Sequence, residues 1–272
     1  MEAVPRPAAP AVRTLVQPAE LRAAVALYRR VLGLGPTDPA VSPRLLAALR
    51  HNGGSVIGAF DGTRLVGFAY GFVGRDAGTG EIYHYSQAAV VDPDVQGRGV
   101  GRALKFGQRA FVLRTGLTRM RWSFDPVRAS NGHFNLDVLG ARARWFVRNL
   151  YGVDDMGRDL GQPSDRLIVE WDLLGPPTPP MPPASQPVGA LVPGWGEVVP
   201  TGADLLIGVP RDWPPAATEP SRAQRIRTSV SAAFEDAMAR GFVAVSCQIS
   251  GAAPDSAWYH LRPGDTEPRC DT

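Results

Sequence analysis

Apolar positions along the first 175 residues recur with two rhythms, one near 3.6 and one near 2. Leu21, Ala24, Val25, Tyr28, Val31 and Leu32 share one helical face, and Gly33 is placed to end that helix. A short strand over 12–16 precedes it. Ser42 followed by Pro43 is a cap and a first-turn proline, which predicts a second helix from 43 to about 51. Strand-like runs at 55–60 and 64–74 flank Asp61-Gly62, a hairpin turn sequence. A long strand is predicted over 81–91, a helix from 99 to about 116, and a strand over 119–124. A helix from about 129 to 139 and strands near 142–150 and 166–173 complete the order β-α-α-β-β-β-α-β-α-β-β.

Prolines interrupt this rhythm. Of 26 prolines, 13 fall within 176–220, and GPPTPPMPPASQP cannot supply backbone donors for a helix or a sheet interior. The expected organisation is a disordered N-terminus over 1–11, a dense α/β (α+β) domain over 12–174 and a proline-rich linker over 175–203. A strand–helix–strand extension over 204–250 follows, with Ile226, Val230, Ala233, Phe234 and Ala237 on one helical face. It is too small to bury a core alone, so it is expected to dock on the first part. Residues 251–272 are expected to form a flexible tail.

The 272 residues are 44% hydrophobic and 20% charged, too apolar for a disordered chain and long enough for a sizeable core. No apolar run reaches membrane-spanning length, so no membrane partner is expected. The opening MEAVPRPAAP carries an acid and three prolines where a signal peptide would have a basic and then an apolar region. With only Cys247 and Cys270, a disulfide framework is excluded and the expected compartment is the cytoplasm. The formal net charge is +3, from 28 arginines and a single lysine, Lys105. Acids are interspersed over most of the length, so no nucleic-acid partner is expected. Residues 95–124 are the exception, with seven bases (Arg98, Arg102, Lys105, Arg109, Arg114, Arg119 and Arg121) and no acid.

That basic stretch begins at the segment that carries chemistry, VVDPDVQGRGVGRAL over 90–104. A strand ends, a turn follows, and glycines open a helix. First-turn amides have no partner inside a helix, and with the helix dipole they suit a diphosphate. The glycine spacing matches neither the dinucleotide fingerprint nor a nucleotide P-loop. The remaining pattern, Gln-x-x-Gly-x-Gly after a strand, resembles the acyl-coenzyme A signature of the GNAT superfamily of N-acyltransferases. The element order over about 12–173 is similar to that fold as well, a mixed, mainly antiparallel sheet flanked by helices. The resemblance implies acetyl-CoA or another acyl-CoA as cosubstrate, no metal, and a small-molecule amine as acceptor. It implies that Ala89, Val90 and Val91 hold the pantetheine arm and that Gln96, Gly97, Arg98, Gly99, Val100, Gly101 and Arg102 hold the diphosphate. Asn131 resembles the asparagine that contacts the arm; capping of its own helix turn is the alternative.

Catalytic groups match the family less well. Amine attack on a thioester needs an acceptor for the ammonium proton. Where family members often carry Glu or His, this strand has Tyr85 and Gln87, which can hold a water but are not bases near neutral pH. His84 is adjacent, but alternation turns it to the other face unless a bulge intervenes. Glu81 begins the strand as a solvated acid. No tyrosine occupies the family's acid position, leaving Tyr151 to approach the thiolate or to edge the core. Trp122 and Trp145 are candidates for an acceptor pocket wall. The four histidines show no metal-ligand spacing. The expected function is acetyl or other short-acyl transfer to an amine such as that of an amino acid. N-succinyl transfer to amino acids and a non-catalytic CoA-binding module are the alternatives. The oligomeric state is open, a homodimer included.

Overall fold

The structure is a computed structural model that describes residues 10–153, 161–175, 194–213, 218–249 and 254–264. The chain divides into two compact units, the first ending at Met120 and the second built from the described residues beyond it.

In the first unit, β1 (Ala11–Thr14), β2 (Ser55–Asp61), β3 (Arg64–Arg75) and β4 (Ile82–Val91) pair antiparallel in that order. α1 (Pro18–Leu32) starts with Pro18 and with Glu20, whose carboxylate accepts the Val16 and Gln17 amides at 2.9 and 3.0 Å. The Arg13 guanidinium and those two amides lower the Glu20 pKa to about 2. α2 (Pro43–His51) is capped by Ser42, whose Oγ accepts the Leu45 amide at 3.1 Å. Leu21, Ala24, Leu27 and Leu46 from these helices bury Val56, Phe68, Tyr70 and Val90 on one sheet face. α3 (Val100–Arg114) covers the other face, with Val100 and Leu104 packed on Ile57, Ala59 and Ala69. Burying each large apolar side chain contributes about 1.5–3 kcal/mol. Helices on both faces explain why β2 is buried almost throughout and reads as an apolar run rather than an alternation.

The second unit holds β5 (Arg119–Phe124) from Arg121 onward, β6 (Arg142–Val147), β7 (Arg166–Asp172), β8 (Val198–Thr201), β9 (Asp204–Pro210), β10 (Phe242–Ile249) and β11 (Ser256–Pro263). Their order is β5-β7-β6-β10-β11-β9-β8. α4 (Ala129–His133) runs into a π-helical turn over Phe134–Val138, and α5 (Pro220–Ala239) lies across the strands. Phe234 of α5 meets Phe146 of β6 and Tyr259 of β11 at ring-centroid distances of 6.5 and 5.0 Å. Arg227 of α5 reaches the buried Asp125 carboxylate at 2.9 Å, and Arg121 reaches Glu170 at 2.8 Å.

The observed fold class is the expected one, mixed α/β with antiparallel strand pairs and flanking helices. Several expectations are corrected. Ser256–Pro263 is strand β11, paired on both sides, where a flexible tail was expected. Val198–Thr201 is strand β8 inside the stretch read as linker, and Ala11, placed in the disordered N-terminus, opens β1. The remaining N-terminal, linker and tail expectations, at 1–9, 176–193, 251–253 and 265–272, lie outside the described residues. The helix expected over 129–139 is α-helical only to His133, because the Leu139 amide bonds the Phe134 carbonyl five residues back. β6 ends at Val147 instead of near 150; there Asn149 adopts φ 47° and donates its amide to Asp165 Oδ1 at 2.8 Å.

Candidate active site

Strand β4 and the turn after it carry the candidate cosubstrate site. Directly after Val91 the buried Asp92 carboxylate accepts Arg30 at 2.6 Å, Arg64 at 3.0 Å and the Asp94 amide at 3.3 Å. These contacts from α1 and β3 fix where the chain leaves the sheet. A single 3-10 turn, Pro93–Val95, follows. The Gln96 side-chain amide donates back to the Val91 carbonyl at 3.1 Å, tying the turn to the end of the strand. Gly97 and Gly99 then take φ of 75° and 82°, and a Cβ on either would meet nothing within 4 Å. Backbone conformation, not crowding, therefore requires glycine at both positions.

Gly99 caps α3, whose first amides point outward from an exposed turn. Arg98 and Arg102 are exposed beside them, and the Arg102 guanidinium lies 4.5 Å from the centre of the Phe106 ring. Backbone donors, a helix dipole and two guanidiniums at a turn without side-chain cover fit a diphosphate.

Of the seven bases counted over 95–124, Lys105 does not join the exposed turn. It is 4% exposed and turns inward with Gln108, onto the sheet. There it enters a buried chain of hydrogen bonds. Lys105 Nζ donates to Ser86 Oγ at 2.8 Å, and Ser86 Oγ donates to Gln108 Oε1 at 2.8 Å. Gln108 Nε2 donates to Ser55 Oγ at 2.9 Å, and Ser55 Oγ lies 2.8 Å from His84 Nε2. Read in that direction, the Ser55 proton is left for His84 Nε2 and the imidazole is neutral. Burial, then the nearby Lys105 charge, lowers the His84 pKa to about 4; burial alone lowers Lys105 to about 7.

A β-bulge sorts the residues of β4 onto faces. Ser86 pairs with Gly71 and Ala88 with Tyr70, so Gln87 is the extra residue. His84 and Ser86 lie on the α3 face. Tyr85 lies on the opposite face, against Phe72 at a centroid distance of 5.5 Å. The bulge falls after His84 and Tyr85 and leaves these two on opposite sides of the sheet. Ala89 is exposed, Val91 half-buried and Val90 buried. Glu81, before β4, pairs with Arg119 at 3.6 Å.

In the second unit, Asn131 is not the cap of α4, a position held by Arg128; its backbone amide donates to the Arg128 carbonyl at 2.9 Å. Tyr151 is 49% exposed, not an edge of the core, and its hydroxyl lies 2.8 Å from Ser123 Oγ. Trp122 is a core residue: its Nε1 donates to Asn135 Oδ1 at 3.0 Å and its ring meets Trp171 edge-on. Trp145 is half-buried under the Arg121 guanidinium, 4.6 Å away. Cys247 is buried, and burial raises its thiol pKa. Among the described residues, no three His, Cys, Asp or Glu side chains are placed to hold a metal ion. No helix among them is long and apolar enough to cross a membrane.

Sequence reasoning passed over Ser55, Ser86 and Gln108. Their only signal is Lys105 and Gln108, one turn apart, on the apolar stripe of Val100, Leu104 and Val112.

Comparison with known proteins shows the class to which this fold is similar. Residues 26–131 match the family model described as Acetyltransferase (GNAT) family, a span from α1 through the glycine turn into α4. Residues 26–131 thus form a domain of the acetyltransferase (GNAT) family. No curated protein matches the sequence. Among solved structures, the Salmonella typhimurium protein yncA, assigned as an acetyltransferase and bound to its cofactor acetyl-CoA, is 19% identical with a TM-score of 0.50. That match covers 63% of this chain and 98% of the other. A phosphinothricin acetyltransferase from Sinorhizobium meliloti in complex with acetyl-CoA is 18% identical with a TM-score of 0.49, covering 61% and 89%. The ribosomal-protein-S18-alanine N-acetyltransferase of Escherichia coli is 19% identical with a TM-score of 0.44, covering 60% and 94%.

Proposed function

We propose that the protein transfers an acetyl group from acetyl-CoA to the amine of a small molecule. The observation that carries this reading is the glycine-opened start of α3, set directly after β4 by the Asp92 clamp and lying within the family match. Bound acetyl-CoA would supply an activated thioester. The outward amides of the first α3 turn, with Arg98 and Arg102, would neutralise its diphosphate. Exposed Ala89 and half-buried Val91 would offer β4 backbone to its arm. The Gly97 and Gly99 conformations keep side chains from covering those amides.

Tyr85 and Gln87 sit where the proton of the attacking ammonium must leave. A phenol ordinarily titrates near 10 and an amide not at all, so the role of Tyr85 and Gln87 is to orient a water that carries the proton to solvent. His84 is buried in the α3-side network as a neutral ring, which supports a structural role for it. Asn131 and Tyr151 stay candidates for the arm and the leaving thiolate, through an amide and a part-exposed phenol. The test is thiol release from acetyl-CoA, and from succinyl-CoA as a second arm, against pooled small amines. Gly99→Val should retain its circular dichroism yet lose acetyl-CoA binding, because valine resists φ near 82°. Full affinity in that variant would refute the site.

A further inference from the structure

The face of β3 and β4 that bears Tyr85 carries a column of rings. Phe68, Tyr70 and Phe72 alternate along β3 and therefore share this face. Phe68 and Tyr70 are stacked at 5.6 Å and lie buried in the core cluster under α1 and α2. The column then runs out past those helices, and Phe72 is 37% exposed. Tyr85, directly opposite Phe72, and Tyr83, opposite Gly74, extend it as half-buried rings. A Cβ at Gly74 would come within 2.8–3.1 Å of the Tyr83 ring, so the missing side chain lets that ring lie over the β3 backbone.

We propose that this outer aromatic platform is an acceptor subsite, and that the preferred substrates are amines carrying an aromatic or large apolar group. The inference rests on the acetyl-transfer reading, which puts the reacting centre beside Ala88 and Ala89. Ala88 pairs with Tyr70, and Phe72 stands two residues further along the same face, about 7 Å away. That is the span of an amine joined to a ring by two carbons. Phe72 and Tyr85 meet at a tilt of 38°, an arrangement that receives a third ring edge-to-face. Charge argues against a polycationic acceptor here. Glu81 is paired with Arg119, and Asp76 Oδ1 accepts the Gly78 and Thr79 amides of its own turn.

The test compares 2-phenylethylamine, ethylamine and a linear polyamine as acceptors with the full chain and acetyl-CoA. The aryl amine should exceed ethylamine in kcat/KM by about tenfold, the equivalent of about 1.4 kcal/mol of ring contact. Phe72→Ala should remove most of that advantage through the aryl amine's KM, lower ethylamine kcat/KM far less, and leave the KM for acetyl-CoA unchanged. Val73→Ala, on the opposite face and also exposed to solvent, should change none of these. Transfer to ethylamine or the polyamine with no aryl advantage would overturn the aromatic subsite and leave acetyl transfer standing. Absence of transfer to every amine would overturn both. A dimer of the chain that Phe72→Ala dissociates without altering acceptor preference would make this face a self-association surface and overturn the subsite.

Discussion

Two neighbouring residues on β4 have opposite surroundings, and chemistry follows from that difference. His84 is the better base by residue type, but burial lowers its pKa to about 4 and its Nε2 is held by Ser55. Tyr85 is the weaker base, yet it faces the proposed acceptor side. Tyr85→Phe should therefore lower kcat more than His84→Gln, by roughly 10–100-fold, as expected for a group that positions proton transfer. With no group near pH 6.5 accepting the proton, the rate should climb with pH above 7 as the amine itself deprotonates. Loss of activity and of a pH 6.5 inflection in His84→Gln alone would reverse this assignment. Lys105 gives a second expectation. Its folded pKa of about 7 lies below the ordinary 10.5, so between those values the unfolded chain binds the extra proton. The cost of burying the charge is complete below pH 7 and is relieved as pH rises toward 10.5, with a slope of at most about 1.4 kcal/mol per pH unit. Chemical denaturation of the wild type against Lys105→Met at pH 7, 8, 9 and 10 should show that slope in the wild type only. Parallel curves would mean that Lys105 keeps its ordinary pKa in the fold.

At the scale of elements, β4 works because it changes face at Gln87. Before the bulge, His84 and Ser86 supply the α3-side network; after it, Ala88 and Val90 join the α1–α2 side. Deleting Gln87 removes only the extra residue: Ser86 stays opposite Gly71 and Ala88 opposite Tyr70, so every other side chain of the strand keeps its face. The buried network and the Val90 packing both survive, so the thermal midpoint should stay within about 4 °C of the wild type, the effect of about 1 kcal/mol or less. A deletion variant melting about 10 °C or more below the wild type would show that the bulge itself is needed to hold the two halves of the strand. The bulge was invisible in the sequence, because YSQAAVV reads equally well as a continuous strand, and so were the faces it sets. What the sequence did display is local. Ser42-Pro43, Asp61-Gly62 and the glycines at 97 and 99 each announce a backbone conformation at the residue that adopts it. Helix ends, the hairpin and the glycine turn before α3 were legible for that reason. Lys105, counted among the seven bases of the acid-free stretch, lies buried, because helical spacing alone does not say which face a long amphipathic side chain takes. Strands β8 and β11 were missed because short or late runs such as VVPT and SAWYHLRP become strands only through the neighbours they pair with. The π turn after His133 likewise depends on Leu139 reaching the Phe134 carbonyl, a bond that apolar periodicity does not encode.

At the scale of the molecule, the residues beyond the proline-rich stretch are integral to the second unit. β10 pairs with β6 at Ala244–Ala143, and α5 packs Phe234 onto Phe146. Arg142 donates to the Val245 carbonyl at 3.0 Å, and Ser231 donates to Asp165 at 2.5 Å. Truncation after Leu174 would strip β6 of a strand partner and leave an open sheet edge. It would also leave the buried Asp125 without Arg227, and removing one partner of such a pair costs about 3–5 kcal/mol. The apolar loss is of the same order, since Phe→Ala in a core costs about 3–5 kcal/mol and Phe234 is fully buried. Together these approach the whole stability of an ordinary domain, about 5–15 kcal/mol. The truncated chain should therefore aggregate or melt without cooperativity, although it keeps every residue proposed for chemistry. Phe234→Ala, a milder change, should stay soluble and lower the midpoint of denaturant unfolding. Soluble yield, circular dichroism and gel filtration of the two variants check the pair. A truncated monomer as stable as the full chain would show that residues 175–272 do not hold the acetyltransferase part together.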